Sequence, residues 1–194
     1  MLSSMARWEP NARERLVRAA VDLFTEQGYD ATTVNGIAER AGLTKTTFFR
    51  HFPDKREVLF AGQETHSRLL AEAIAASPDS ATPLQAVAAA LDALTATFTD
   101  DRREFAARLR TVIADNGELQ ERAVFKRIGL AGAMTDALRK RGVPDPTASL
   151  AAELGIRAFH DAFDLWSDRT DQQALADLTR QTLDELRAAM ATLD

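Results

Sequence analysis

Residues 33–55, TVNGIAERAGLTKTTFFRHFPDK, predict two short helices joined by a tight turn. Apolar residues recur at helical spacing in the first half, and the Thr33 hydroxyl is placed to accept a hydrogen bond from the free N–H groups at the start of that helix. Gly42 follows the helix, because a residue without Cβ permits the left-handed backbone that a sharp turn between helices requires. Thr44 then begins the second helix.

The second helix is predicted to bury one face and to expose a basic one. Phe48 and Phe52 lie one helical turn apart, so they share the inward face. A short helix with an outward basic face fits the major groove of DNA, where its first residues reach base edges and its cations neutralise phosphates. The outward residues are Thr44, Lys45, Thr47, Phe49, Arg50 and His51. The alternative, a buried helical hairpin in an all-α core, does not explain why these cations gather with Lys55 on the side away from the apolar residues.

The stretch resembles the helix-turn-helix of the tetracycline-repressor (TetR) family of bacterial regulators. That family's pattern is roughly Thr-hydrophobic-x-x-Ile-Ala-x-x-Ala-Gly-hydrophobic-Ser/Thr-x-x-Thr-hydrophobic-aromatic-Arg/x-His/Tyr-Phe-x-x-Lys, and the match is nearly complete. Phe49 departs from it, since many members carry a tyrosine there, so a hydroxyl contact to phosphate is lost. The resemblance implies an all-α fold of about nine helices. It also implies an N-terminal three-helix helix-turn-helix DNA-binding domain over residues 1–54 and a larger C-terminal helical ligand-binding and dimerisation domain over residues 55–194.

The resemblance also assigns DNA contacts. The candidates for base edges are Thr44, Lys45 and Thr47. The candidates for backbone contacts or groove packing are Thr33, Phe49, His51 and Lys55, with Arg50 in the same DNA-binding set. For Thr33 the competing interpretation is purely structural, because its hydroxyl is also a helix cap.

Composition narrows the class of protein. The 194 residues are 45% hydrophobic and 27% charged, as in ordinary globular proteins. The chain has no cysteine, which excludes a disulfide framework, a zinc finger and a thiol nucleophile. The sequence has no run of about 18 apolar residues and no signal peptide, so we expect no membrane partner and a cytoplasmic location. The histidines are scattered and no catalytic motif occurs, so we expect no enzyme activity, no metal site and no cofactor.

Charge is distributed unevenly along the chain. The net charge is −5, which by itself argues against a nucleic-acid partner. Residues 1–60 hold nine Lys/Arg and eight Asp/Glu, a net of +1, and the remainder therefore carries −6. This distribution is typical of an acidic body with one DNA-binding end.

The rest of the chain is predicted to be helical. Residues 54–75 are predicted to form one helix that begins at Asp54 and links the two domains. Amphipathic spacing predicts further helices over residues 83–98, 100–115, 118–141, 147–167 and 171–193. The resemblance implies a homodimer through the last two helices, with packing of both helices inside one monomer as the alternative. A dimer is favoured because a small major-groove reader needs two half-sites for useful affinity.

An aromatic stripe marks the helix predicted at 147–167. Ile156, Phe159, Phe163 and Trp166 share one face, and such a stripe is more often plain core than a pocket. Members of the family typically hold a cavity for a small apolar or amphipathic effector. The segments RxxFAxRLR and AFxxxFxLW resemble a subgroup thought to bind acyl-CoA-like molecules. The candidate effector-binding residues are Phe98, Phe105, Arg108, Leu109, Phe125, Phe159, His160, Phe163 and Trp166.

The sequence thus supports a ligand-responsive DNA-binding transcriptional regulator. The favoured form is a repressor that a small effector releases from a palindromic double-stranded DNA operator, with the helix predicted at 54–75 transmitting the change. Two alternatives stay open. One is a DNA-binding activator or architectural protein without an effector, and the other is an all-α small-molecule carrier or enzyme.

Overall fold

The structure is a computed structural model and describes residues 11–168 and 173–193 of the chain. Within these ranges the chain forms nine α-helices, two short 3-10 helices and no strand, which confirms the all-α fold class. The α-helices are α1 (Ala12–Gln27), α2 (Val34–Arg40), α3 (Lys45–His51), α4 (Gln63–Ala76), α5 (Pro83–Thr95), α6 (Arg103–Ala114), α7 (Gly117–Lys140), α8 (Asp145–Asp168) and α9 (Leu175–Met190). The 3-10 helices are Glu57–Phe60 and Asp100–Arg102.

The segment after α3 differs from the single helix predicted over residues 54–75. Asp54 does accept a hydrogen bond from the Glu57 N–H, at 2.9 Å, but this bond opens the 3-10 helix Glu57–Phe60, and α4 begins only at Gln63. Three successive residues of the 3-10 helix, Val58–Phe60, are buried. A tight turn with three residues per revolution directs all three side chains into the surrounding core, which one face of an α-helix cannot do.

One hydrophobic core lies beneath the helix-turn-helix. It joins apolar residues of α1, α2, α3 and the 3-10 helix at 57–60, and it also includes Val112 of α6 and Leu119 of α7. Phe105 and Leu109 of α6 pack against the same core. The three N-terminal helices are therefore fastened directly to α6 and to the start of α7, as well as to the chain segment that leads into α4.

A second core fills the rest of the molecule. It is built from α4, α5, α7, α8 and α9 and one residue of α6. Gly155 lets α8 lie directly against α5, since a Cβ at this position would overlap the Val87 side chain. The last helix is shorter than the predicted 171–193, and most of the predicted turn at 168–170, with the predicted helix start at 171, lies outside the described residues. Over the ranges described, no helix is long and apolar enough to cross a membrane.

The burial expected for the first half of α7 is wrong. Val124 and Ile128 were expected to point inward, but they are 53% and 59% exposed, and the neighbouring Phe125 is 58% exposed. The reason is that α7 carries apolar residues on two faces. The second core takes the later face, which holds Leu130, Met134 and Leu138.

Candidate functional site

Threonine caps set the two helices of the helix-turn-helix. The Thr33 hydroxyl accepts from the Gly36 N–H at 3.1 Å, and the Thr44 hydroxyl accepts from the Thr47 N–H at 3.1 Å. The hydroxyl oxygens of Thr44 and Thr47 are also 3.0 Å apart, so one donates to the other. Both caps satisfy N–H groups that would otherwise be free at a helix start, and the cap residues remain exposed on the surface.

The turn between α2 and α3 is closed by glycine and arginine. Gly42 has φ +66°, and a Cβ on it would come within 2.8 Å of the Arg15 guanidinium. That guanidinium donates to the Ala41 carbonyl at the end of α2. On the far side of the turn, Phe48 and Phe52 are 0% and 2% exposed, which confirms the predicted inward face of α3.

The opposite face of α3 is open and cationic. Lys45, Phe49 and Arg50 are exposed, and the Lys45 ammonium lies 5.9 Å from the centre of the Phe49 ring. Among the described residues, neither Lys45 nor Arg50 has an ion-pair or hydrogen-bond partner. Two free cations beside an exposed aromatic ring at one end of a helix are suited to phosphate contacts and to packing against a base.

Two predicted DNA-contact residues are engaged inside the protein. The Nε2 atom of His51 is buried without a hydrogen-bond partner, and burial, with the charges of Arg50 and Arg13, lowers the pKa of His51. The Lys55 ammonium donates to the carbonyls of Tyr29 and Thr32 at 2.8 and 3.1 Å and lies 4.1 Å from the centre of the Tyr29 ring. Lys55 thus ties the chain after α3 to the end of α1.

Sequence reasoning missed Arg13. This exposed residue of α1 lies over the Phe52 ring, with 5.5 Å between Cζ and the ring centroid, and it has no ion-pair partner within the described ranges. Its charge lowers the pKa of His51, so it lies near the end of α3. The pattern of α1 does not distinguish Arg13 from the other arginines of that helix, and only the packing of α1 on α3 reveals its place.

The candidate effector-binding residues separate into three groups. Phe98 meets Phe159, Phe163 and Trp166 with ring centroids 5.8, 5.7 and 6.4 Å apart, and His160 adjoins this cluster at 5.6 Å from Phe159. This set, Phe98, Phe159, His160, Phe163 and Trp166, is called the ring cluster below. His66 of α4, which was not among the candidates, joins it at 5.8 Å from Phe98.

The other effector candidates lie elsewhere. Phe105 and Leu109 pack against the N-terminal core, and Arg108 donates to Asp22 of α1 at 2.8 Å. Phe125 is exposed on α7. Their grouping with the ring cluster is therefore wrong, because Phe105, Arg108 and Leu109 face α1 and Phe125 faces solvent. Among the described residues, no group of three or more His, Asp and Glu side chains is arranged to hold a metal ion.

Comparison with known proteins concerns chiefly the N-terminal part. Residues 16–61 match the sequence model of the family described as bacterial regulatory proteins, tetR family. The chain is 37% identical over 92 residues to the HTH-type transcriptional regulator TcmR of Streptomyces glaucescens, which is 47% of this chain and 41% of TcmR. It is 36% identical over 70 residues to the tetracycline repressor protein class A from transposon 1721 of Escherichia coli, which is 32% of this chain and 31% of that protein. The chain thus spans less than half the length of these relatives.

The whole chain also has structural neighbours. The complex of SmeT with triclosan superposes with a TM-score of 0.61 at 22% identity, over 93% of this chain and 91% of SmeT. SmeT is described as the repressor of the Stenotrophomonas maltophilia multidrug efflux pump SmeDEF. At this identity the likeness establishes the arrangement of helices.

Proposed function

We propose, from the TetR-family N-terminal domain that this chain carries at residues 16–61, that the protein is a transcriptional regulator that binds a palindromic DNA operator as a homodimer and responds to a small effector. The observation that carries the proposal is the open cationic face of α3. That face stands on the buried pair Phe48 and Phe52 and is aimed by capped helix ends. The division into a DNA-binding domain at 1–54 and an effector and dimerisation domain at 55–194 belongs to the same proposal.

In this proposal α3 enters the major groove. Thr44, Lys45 and Thr47 lie at its beginning and reach base edges, while the exposed Phe49 ring packs against a thymine methyl group or the groove wall. Arg50 and Arg13 neutralise phosphates on either side, and the exposed Thr33 contacts the backbone at the start of α2. His51 and Lys55 support the reading head through their internal positions.

The homodimer is proposed to form through α8 and α9. Support comes from apolar side chains that remain exposed on this pair of helices: Leu150 and Leu165 on α8 and Met190 on α9. Leu154, one turn after Leu150, is only partly buried and extends the same stripe. Pairing these surfaces between two subunits would remove apolar area from water and place two α3 helices on successive half-sites.

Effector binding is proposed at the ring cluster, with release of DNA as the consequence. An effector that binds better to a dimer with the wrong separation of α3 helices must weaken DNA binding by the same coupling free energy. The broken segment between α3 and α4 replaces the single helix that was predicted as the connection. The proposal is therefore a repressor. Since the matched relatives are named as transcriptional regulators and operator DNA lies in the bacterial cytoplasm, we propose a cytoplasmic regulator without catalytic activity.

The test is selection of genomic DNA fragments by the purified protein at near-physiological salt. The same selection is run with the variant Lys45→Ala/Arg50→Ala and with the control Lys140→Ala, whose exposed lysine lies at the end of α7. We expect the protein and the control to recover fragments that share an inverted repeat, and the double variant to recover none. Fragments without a shared site, or a shared site retained by the double variant, would contradict the proposal.

A further inference from the structure

Three nitrogen-bearing side chains from three helices converge beside the ring cluster. Helix α7 packs against both α4 and α8, and it carries Lys126 between His66 of α4 and His160 of α8. The Lys126 charge lowers the pKa of each histidine, so the three groups are close enough to interact electrostatically. Burial is the larger cause for both, and each histidine has a pKa of about 4. Both imidazoles are therefore neutral near pH 7 and offer one N–H donor each.

Lys126 is a buried cation without a counter-ion. Desolvation, aided by the charge of Arg122, lowers the pKa of Lys126 to about 8, so the ammonium is still mostly protonated near pH 7. It has no ion pair and no hydrogen-bond partner among residues 11–168 and 173–193. An unpaired ammonium removed from water is costly, and proteins ordinarily neutralise such a group with an anion.

The surroundings supply positive charge and little that is negative. Arg122 is committed to Glu57 and Gln63, and Arg127 adds a further positive charge near His160. The carboxylate that acts on His160 is Asp161, and it is already paired with Arg157 at 2.6 Å. The charges around Lys126 therefore leave one cation uncompensated.

Two more polar atoms in this region are buried without partners. They are Nε2 of His160 and Nε1 of Trp166. His66, Phe98, Lys126, His160 and Phe163 are each only partly buried, although Phe159 and Trp166 beside them are buried. Partial exposure of groups that surround a buried base is the pattern of a crevice lined by rings, with the ammonium and the imidazoles along one side.

We propose that this crevice takes an amphipathic effector with a single acidic group. Its carboxylate, or a comparable anion, lies against the Lys126 ammonium between His66 and His160, and its apolar body lies on the ring cluster. The proposal rests on the proposed function, because it names the chemical class of the effector to which the regulator responds. The anion supplies the missing counter-charge, and a charge-assisted hydrogen bond in a dry site favours it strongly over a neutral group of the same shape.

The test compares acids with their own amides. Binding of decanoate and decanamide, and of naphthoate and naphthamide, is measured by calorimetry on the full chain at pH 7. Each pair has the same apolar body and differs in the charged group alone. We expect at least one acid to bind about 10-fold or more tightly than its amide, as hydrogen bonds to charged groups imply. Equal affinity within both pairs, or binding of none of the four compounds, would overturn the proposal.

The variant Lys126→Gln locates the preference, with Lys140→Gln as the matched lysine on the same helix. We expect Lys126→Gln to reduce acid binding to the level of the amide and to leave amide binding unchanged, while Lys140→Gln behaves like the unmodified protein. An acid preference retained by Lys126→Gln would overturn the assignment. If that variant does not fold, the ratio of acid to amide affinity in the unmodified protein remains the test.

Failure here is distinguishable from failure of the proposed function. DNA selection is carried out without any effector, so recovery of an inverted repeat together with equal affinity for acid and amide would overturn the anion site alone. An acid preference that depends on Lys126, together with no selected DNA, would overturn the regulator instead.

Discussion

The guanidinium of Arg122 on α7 donates to both carboxylate oxygens of Glu57, with 2.9 Å from Nη2 to Oε2. The same Nη2 donates to Gln63 at the start of α4, and the guanidinium lies 4.9 Å from the centre of the Phe60 ring. Arg122 is one helical turn before Lys126, and Glu57 belongs to the 3-10 helix that follows α3. This ion pair therefore connects the proposed effector site with the DNA-binding end.

Removal of the Glu57 charge should destabilise the protein. The side chains of Arg122 and Glu57 are 17% and 23% exposed, so Glu57→Gln leaves a largely buried guanidinium without its counter-charge. We expect the free energy of unfolding, measured in urea, to fall by about 1–3 kcal/mol. The control is Glu72→Gln in the exposed pair Arg68–Glu72, whose side chains are 71% and 68% exposed. Equal effects of the two variants would show that the Arg122 bond contributes nothing special.

Two glycines on neighbouring helices should respond to alanine in opposite directions. A Cβ at Gly155 would overlap Val87, so Gly155→Ala should lower the free energy of unfolding by about 1–3 kcal/mol. A Cβ at Gly132, which is exposed on α7, would meet nothing within 4 Å. Gly132→Ala should therefore raise the free energy of unfolding by about 0.5–1 kcal/mol. Thermal or urea unfolding measures both changes, and destabilisation by Gly132→Ala would mean that α7 packs differently.

Stability should fall below neutral pH because of His66 and His160. Burial lowers the pKa of each from 6.5 to about 4 in the folded protein. As the pH falls from 6.5 to 4, the unfolded chain takes up protons at these residues while the folded protein does not, so folding becomes less favourable. The groups that act on them are Lys126, Arg127 and Asp161. We expect His66→Gln and His160→Gln each to flatten the pH dependence between pH 6.5 and 4, measured by urea unfolding, and unchanged slopes would refute this cause.

Loss of the Lys126 charge should stabilise the ligand-free protein. Lys126→Met removes an unpaired buried ammonium, and we expect the free energy of unfolding at pH 7 to rise by about 1–3 kcal/mol. The folded pKa of about 8 lies below the unfolded value of 10.5, so the unmodified protein gains stability as the pH rises through this window. The advantage of the variant should therefore shrink between pH 8 and 10.5. A lower stability of Lys126→Met at pH 7 would show that the ammonium already has a partner.

Arg50 and Lys55 should differ in their effect on the salt dependence of DNA binding. Arg50 is exposed and unpaired within the described residues, so Arg50→Ala should reduce the slope of log affinity against log salt by about 0.9. Lys55 is bonded to the carbonyls of Tyr29 and Thr32, so Lys55→Ala should lower stability and leave that slope nearly unchanged. A slope reduced equally by both variants would place the Lys55 ammonium on phosphate.

Local pattern was enough to predict the helix-turn-helix. The caps at Thr33 and Thr44, the turn at Gly42 and the inward pair Phe48 and Phe52 depend on residues within a few positions of each other, so spacing specifies them.

Long-range packing decided what spacing could not. Lys55 finds its carbonyl partner Tyr29 across 26 positions, and no local rule indicates such a bond. Lys126 looks like an ordinary surface lysine of an amphipathic helix, because only the approach of α4 and α8 removes its ammonium from water. The same approach decides which of the two apolar faces of α7 is buried.

The most direct measurement of the central claim is the affinity for a selected inverted repeat, compared with the same fragment after one half-site is scrambled. A dimer that reads bases with two α3 helices should lose about 100-fold or more, because each mismatched base pair costs about 1–3 kcal/mol and the costs add. Lys45→Ala should remove most of that preference. Equal affinity for the two fragments at physiological salt would contradict the account, since it would mean that the cationic face of α3 binds DNA without reading it.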